Sequence, residues 1–165
     1  MNQRTMRVLL RTAVLADAAF LTDVVISATF AQGRFPDDID LAEYRTGFEE
    51  WTRETVLGNI PHCTLSVIEY DGIPIGRLRV LRDGTSITLA GIQLLPDYQN
   101  KGIGTTLVEQ LKQEANLQHV PLYLSVEKDN PNALRFYGRL GCIISGEDEK
   151  EYNLEYHPRD SDIQQ

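Results

Sequence analysis

Cysteine and histidine are scarce in this chain. Among its 165 residues are two cysteines and three histidines. Cys63, Cys142, His62, His119 and His157 fall at no spacing that holds zinc, so no metal is expected. Two distant cysteines form no disulfide framework either, and reduced thiols in a cytoplasm are the simplest reading. Long hydrophobic runs are missing as well. The longest apolar stretch near the N-terminus is broken by Arg11, Asp17 and Asp23, which leaves no membrane span and no signal-peptide pattern. Bases are outnumbered, 16 Lys and Arg against 24 Asp and Glu for a net charge of −8. That balance speaks against nucleic acid, whose phosphates demand a basic face. No linker, repeat or low-complexity segment divides the chain, and its length suits one domain over residues 1–165, with 157–165 as a loose tail.

What is present is a change of period along the chain. A strand from Met6 to Arg11 is followed by a helix from about Ala16 to Phe30 and a loop from Ala31 to Asp40. Leu41, Tyr44, Phe48, Trp51 and Thr55 then recur at helical spacing. Cys63 to Tyr70 and Ile73 to Leu81 alternate about an Asp71-Gly72 turn. Asp83-Gly84 makes a second turn before Ser86 to Leu95, completing an antiparallel meander. Ile103, Leu107, Val108, Leu111 and Ala115 mark one face of a third helix, and Val120 to Val126 is a short strand after it. A strand–helix–strand crossover makes those two strands parallel, so the sheet is mixed. Asn130 and Pro131 cap a fourth helix with Ala133, Phe136, Tyr137 and Leu140 on its buried face, ended by Gly141. A last hairpin joins Cys142–Ser145 to Glu151–Tyr156.

The acids are unevenly placed. From Pro36 to Ile60 lie Asp37, Asp38, Asp40, Glu43, Glu49, Glu50 and Glu54, against only Arg45 and Arg53. Two readings stand side by side: a solvated helix face, or an acidic lip that gathers a cationic substrate.

The stretch Leu94-Leu95-Pro96-Asp97-Tyr98-Gln99-Asn100-Lys101-Gly102-Ile103-Gly104-Thr105-Thr106 links the third meander strand to the third helix. Glycines at a helix start let backbone N–H groups converge on an anion, where the positive end of the helix dipole adds to them. The same pattern also serves as an ordinary turn. Neither familiar phosphate loop fits it. The Gly-x-x-x-x-Gly-Lys-Ser/Thr signature is absent. A dinucleotide fingerprint requires a third glycine where this chain has Leu107, although Glu127 lies where a ribose-binding carboxylate would sit.

Two separated motifs carry a family likeness. Gln99-x-x-Gly102-x-Gly104 opens one helix, and Asn130-x-x-Ala133-x-x-Phe136-Tyr137-x-x-x-Gly141 forms the next. Together, at this spacing, they resemble the GCN5-related N-acetyltransferase (GNAT) family, well over Ile87 to about Ile143 and in element order over the whole chain. Cys142 departs from the pattern, since the family usually has Phe after the glycine. The resemblance implies an α/β (α+β) GNAT fold with a mixed, mostly antiparallel sheet in the order β-α-α-β-β-β-α-β-α-β-β.

It also implies acyl transfer from acetyl-CoA as co-substrate, without a metal. Leu94, Leu95, Gln99, Asn100, Lys101, Gly102, Ile103, Gly104 and Thr105 would bind its pantetheine and pyrophosphate. Asn130, Ala133, Phe136 and Tyr137 would also lie against it. A Leu94 N–H would polarise the thioester carbonyl, an oxyanion-type contribution of ~3 kcal/mol. Tyr137 would protonate the departing thiolate, since a phenol near pKa 10 stays protonated at neutral pH. From spacing alone, Tyr137 is equally a half-buried aromatic and Asn130 simply an N-cap. An amine of pKa roughly 10.4 arrives protonated and needs a base. Glu69, Asp83, Glu127 and the Pro36–Ile60 acids qualify by type, and the sequence does not rank them.

The expected acceptor is a primary amine on a small cationic molecule such as a polyamine, an aminosugar or an amino acid derivative. Acetylation of a protein N-terminus or lysine is the alternative. A coenzyme A-binding sensor without turnover is a third reading. The expected assembly is a monomer or homodimer.

Overall fold

The computed structural model describes residues 7–159. Met6, in the expected first strand, and residues 160–165 of the expected tail lie outside that range. The elements are β1 (Val8–Thr12), α1 (Ala18–Ala31), α2 (Leu41–Val56), β2 (Cys63–Tyr70), β3 (Ile73–Arg82), β4 (Ile87–Leu94), α3 (Ile103–Gln118), β5 (Leu122–Glu127), α4 (Pro131–Arg139), β6 (Ile143–Glu147) and β7 (Glu151–Tyr156). This is the order read from the periodicity. The strands make one seven-stranded sheet, β1-β2-β3-β4-β5-β7-β6. The β4–β5 pair is parallel, whereas β1–β2, β5–β7 and β6–β7 are antiparallel. The chain forms two compact units, Met1–Arg79 with Gly91–Ile103, and Val80–Ala90 with Gly104–Gln165. Strands β3 and β4 each contribute to both.

In the first unit β1 lies on β2 in the register Val8↔Tyr70 to Thr12↔Ser66. Ala13 and Leu21 pack with Leu65 and Val67, and Phe20 and Val56 close this cluster. Burying each large aliphatic side chain contributes about 1.5–3 kcal/mol, so this cluster holds α1 and α2 on the sheet. Asp17 fixes the corner after β1. It accepts two hydrogen bonds from Arg11, at 2.9 and 3.0 Å, and a third from the Val14 N–H at 2.8 Å. Helix α2 starts at Asp40, whose carboxylate accepts the Glu43 N–H. Thr52 and Thr55 are its fully buried residues, and their hydroxyls donate to the Phe48 and Trp51 carbonyls, so no polar atom there is left bare. The aromatic stripe of α2 is only half-buried, which the period alone does not reveal. Between β2 and β3, Asp71 and Gly72 both have positive φ, 49° and 82°, as the expected tight hairpin turn demands.

In the second unit Ile87–Leu89 of β4 pair with Leu122–Leu124 of β5. Helix α3 makes the crossover and buries the predicted face, Ile103, Leu107, Val108, Leu111 and Ala115. Arg82 grips Glu114 of α3 with two bonds, at 2.6 and 3.0 Å. β5 pairs with β7 from Leu122↔Tyr156 to Glu127↔Glu151, and a register shift between Ile144 and Gly146 interrupts β6 against β7. Asn116 Oδ1 accepts both the Tyr156 hydroxyl and the Arg159 N–H, at 3.0 and 2.9 Å, so the chain just after β7 is tied to α3. Among the described residues no helix is long and apolar enough to cross a membrane.

Candidate active site

The loop after β4 is built from backbone bonds. The Leu95 N–H donates to the Ile75 carbonyl at 2.8 Å, and Gln99 Nε2 donates to the Leu94 carbonyl at 3.0 Å. Between them Pro96–Tyr98 makes one tight helical turn, with the Tyr98 N–H on the Leu95 carbonyl at 2.9 Å. Asn100 and Gly102 then take left-handed conformations, φ 60° and 82°. Two such residues flanking Lys101 bend the backbone sharply, and backbone of mixed handedness is what anion-binding concavities are made of. The Lys101 ammonium lies over the Tyr98 ring at 5.6 Å.

Gly104 differs from Gly102. It sits in the first turn of α3 with no positive φ, and a Cβ there would meet only Phe136 Cζ, at an ordinary 3.5 Å. The fold does not demand glycine at 104. Its missing side chain leaves the start of α3 uncrowded except for Phe136, at the end of the helix where the dipole favours an anion.

The second motif forms as its residues dictate. Asn130 Oδ1 accepts the Ala133 N–H at 3.2 Å, and Pro131 occupies the first helical position of α4. At the other end Gly141 donates to the Gly138 carbonyl at 3.1 Å and Cys142 to the Tyr137 carbonyl at 3.0 Å, a Schellman ending. Cys142 therefore precedes β6 rather than lying within a strand, and it is buried. Tyr137 is buried too, its ring edge-on to Phe136 at 5.0 Å. Burial pushes its hydroxyl well above the ordinary tyrosine pKa, and Cys142 adds to the shift. The group is thus held protonated.

Of the site residues expected from sequence, Leu94, Leu95, Gln99, Asn100, Lys101, Gly102 and Ile103 belong to the first unit. Gly104, Thr105, Asn130, Ala133, Phe136 and Tyr137 belong to the second. The base candidates separate by their partners. Glu69 lies 3.8 Å from Arg11, and Asp83 accepts from the Thr85 N–H, the Thr85 hydroxyl and the Ser86 N–H, which makes it a turn residue. Of the Pro36–Ile60 acids, Glu49 pairs with Arg53 and Glu54 with Asn59, whereas Asp40 and Glu43 line an open groove of about 490 Å³ with Ile39, Tyr44, Gly47, Phe48 and Trp51. Among the described residues no three His, Cys, Asp or Glu side chains gather as metal ligands would. Sequence reasoning missed Arg77, whose Nη1 donates to Gln93, next to Leu94, at 2.9 Å. The available signal was Arg77 and Arg79 alternating with Leu78 and Val80 in an apolar strand.

A model of the acetyltransferase (GNAT) family matches residues 28–142. No curated protein matches this chain. Among solved structures, the PaiA N-acetyltransferase of Thermoplasma acidophilum, in complex with coenzyme A, is similar at a TM-score of 0.76 and 19% identity, over 92% of this chain and 99% of its own. An acetyltransferase of Thermus thermophilus is similar at 0.72 and 20%, over 91% and 96%. The spermidine/spermine N-acetyltransferase SpeG of Vibrio cholerae is similar at 0.65 and 18%, over 91% and 93%. At these identities the structural likeness establishes the fold, and the family match covers most of the chain, including both motifs that carry the loop and α4. The chain belongs to the acetyltransferase (GNAT) family.

Proposed function

We propose that this protein is an N-acetyltransferase that moves an acetyl group from acetyl-CoA to a primary amine on a small molecule. The observation that carries the proposal is the loop from Gln99 to Gly104, with its two left-handed residues and no side chain at Gly104. Acetyl-CoA, when bound, supplies an activated thioester and a thiol leaving group. The N–H groups from Asn100 to Thr105 hold its pyrophosphate, and Leu94 and Leu95 align its pantetheine arm. In this reading Asn130, Ala133 and Phe136 add contacts from α4. The Leu94 N–H faces the acetyl carbonyl and is worth ~3 kcal/mol if it acts as other oxyanion donors do.

Tyr137 delivers the hydroxyl proton that the departing sulfur takes. Its raised pKa keeps the hydroxyl protonated at neutral pH, so a proton is present there for the sulfur to take. A protonated amine is drawn toward the first unit by Asp40 and Glu43, which line the groove on α2, and it attacks after losing a proton to solvent. The open Gly104 and the buried, protonated Tyr137 weigh against a binding module without turnover.

Calorimetric titration with acetyl-CoA, and in parallel with NAD, tests the reading. Saturable acetyl-CoA binding without NAD binding is expected, followed by thiol release when amines are added. Absence of acetyl-CoA binding would overturn it.

A further inference from the structure

Arg77 is a buried cation without an anion. It is 3% exposed, and among the described residues the charged or polar groups that act on its charge are Arg79, Cys63 and Tyr44, none of them a carboxylate. Its Nη1 donates to the neutral amide of Gln93, and its Nε has no partner. Arg79 likewise has a buried Nε without a partner. The guanidinium groups stack instead on rings of α2. Arg77 lies 5.4 Å from the Phe48 centroid and 5.6 Å from that of Trp51, and Arg79 lies 4.6 Å from Trp51. Burial, then the repulsion of Arg79, pushes the Arg77 pKa down to about 10. Cation–π contacts and one neutral hydrogen bond recover only part of what burying a guanidinium costs.

Space is reserved for this arrangement. A Cβ at Gly91 on β4 would come within 2.7 Å of Arg77 Nη1, so the glycine is what lets the guanidinium lie across the strand. Phe48 and Trp51 also line the α2 groove, with the carboxylates of Asp40 and Glu43. Gly47 lines it too, and nothing stands within 4 Å of where its Cβ would be. A glycine inside a helix costs stability, and no special backbone angle calls for it here. The groove therefore brings together acids, rings and open space, and beneath two of its rings lie two arginines with bare Nε–H groups.

We infer that Arg77 and Arg79 form a carboxylate-binding subsite, and that the acceptor amine carries a carboxylate as well. This rests on the transferase reading above and narrows its acceptor to a zwitterion of the amino-acid type. The Nε–H edge of a guanidinium is one of the edges that grip a carboxylate by two parallel bonds, and stacking on rings holds the fork in place. Asp40 and Glu43 attract the ammonium end. Arg77 donates to Gln93, the residue beside Leu94, so an acceptor held here is anchored next to the strand end that the transferase reading assigns to the acetyl carbonyl.

Trp51 is the sole tryptophan of the chain, so its fluorescence reads this subsite directly. The probes are pairs that differ by one carboxylate: lysine and cadaverine, ornithine and putrescine, arginine and agmatine. Titration without acetyl-CoA is expected to give a saturable Trp51 response to the carboxylated members. Their binding should be tighter than that of the decarboxylated partners by roughly tenfold to a hundredfold, the range a hydrogen bond to a charged group carries. Arg77→Gln, and independently the less buried Arg79→Gln should the first fail to fold, is expected to remove the preference. Equal affinity within each pair, preference for the decarboxylated member, or no saturable response to any carboxylated probe overturns the subsite. Acetylation of amines without regard to the carboxylate would sink the subsite and leave the transferase standing. Carboxylate binding in a protein that never binds acetyl-CoA would do the reverse.

Discussion

Gln99 fastens the loop it belongs to: its side-chain amide reaches back five residues and donates to the Leu94 carbonyl at 3.0 Å. Gln99→Ala leaves that carbonyl without its partner, a loss of about 1 kcal/mol for a typical hydrogen bond. Acetyl-CoA affinity should fall about fivefold by calorimetry. Unchanged affinity would mean that the loop holds its shape without this tie.

Gly104→Glu should abolish acetyl-CoA binding, since it puts a negative side chain in the open space at the start of α3. The melting temperature should stay close to that of the parent, because a Cβ there meets only Phe136 at 3.5 Å. Undiminished binding by the well-folded variant would remove the loop from the donor site.

Tyr137→Phe should lower kcat by about 10²–10⁴, the range of a positioned acid. Folding should suffer little, because the change removes only the hydroxyl and keeps the buried ring. With the hydroxyl's pKa raised by burial, Tyr137 adds no loss of activity up to pH ~10, where an ordinary tyrosine would be half ionised. An unchanged kcat would end the acid role without touching the family assignment.

Asn130→Ala separates two roles. Loss of the cap on Ala133 should cost about 1 kcal/mol, or roughly 2–4 °C in Tm for a chain of this size. If acetyl-CoA affinity also drops beyond what the wild type shows at matched stability, Asn130 touches the donor; if only Tm moves, it is a cap alone.

Asp17 gives a pH signature. The bonds from Arg11, opposed by burial and helped by the Val14 N–H, hold its carboxyl below the usual carboxylate range. A depressed folded pKa stabilises above the unfolded value of roughly 3.9 and is lost as pH falls through the folded value. The Tm difference between wild type and Asp17→Asn should therefore be full at pH 6 and shrink below about pH 4. A constant difference from pH 6 to 3 would contradict this.

The helices and turns were legible because their signals are local. Ile103 to Ala115 repeat at one helical face and all are buried, and Asn130-Pro131 with Gly141 bracket α4 as capping chemistry requires. The α2 face was less legible. Tyr44, Phe48 and Trp51 repeat as a core stripe would, but Thr52 and Thr55 are the buried residues and the rings rest partly on Arg77 and Arg79. Nothing within α2 announces that two arginines, far along the chain on β3, stand under it. The acids of Pro36–Ile60 were equally opaque, because whether each caps, pairs or lines a groove depends on neighbours that composition does not name.

The two glycines of the loop answer to different selective pressures. Gly102 is held by its own backbone angle of φ 82°, whatever the protein does, whereas Gly104 is held only by what must come near it. On the transferase proposal, a substitution at 102 should therefore read out in stability, and a bulky one at 104 in acetyl-CoA affinity.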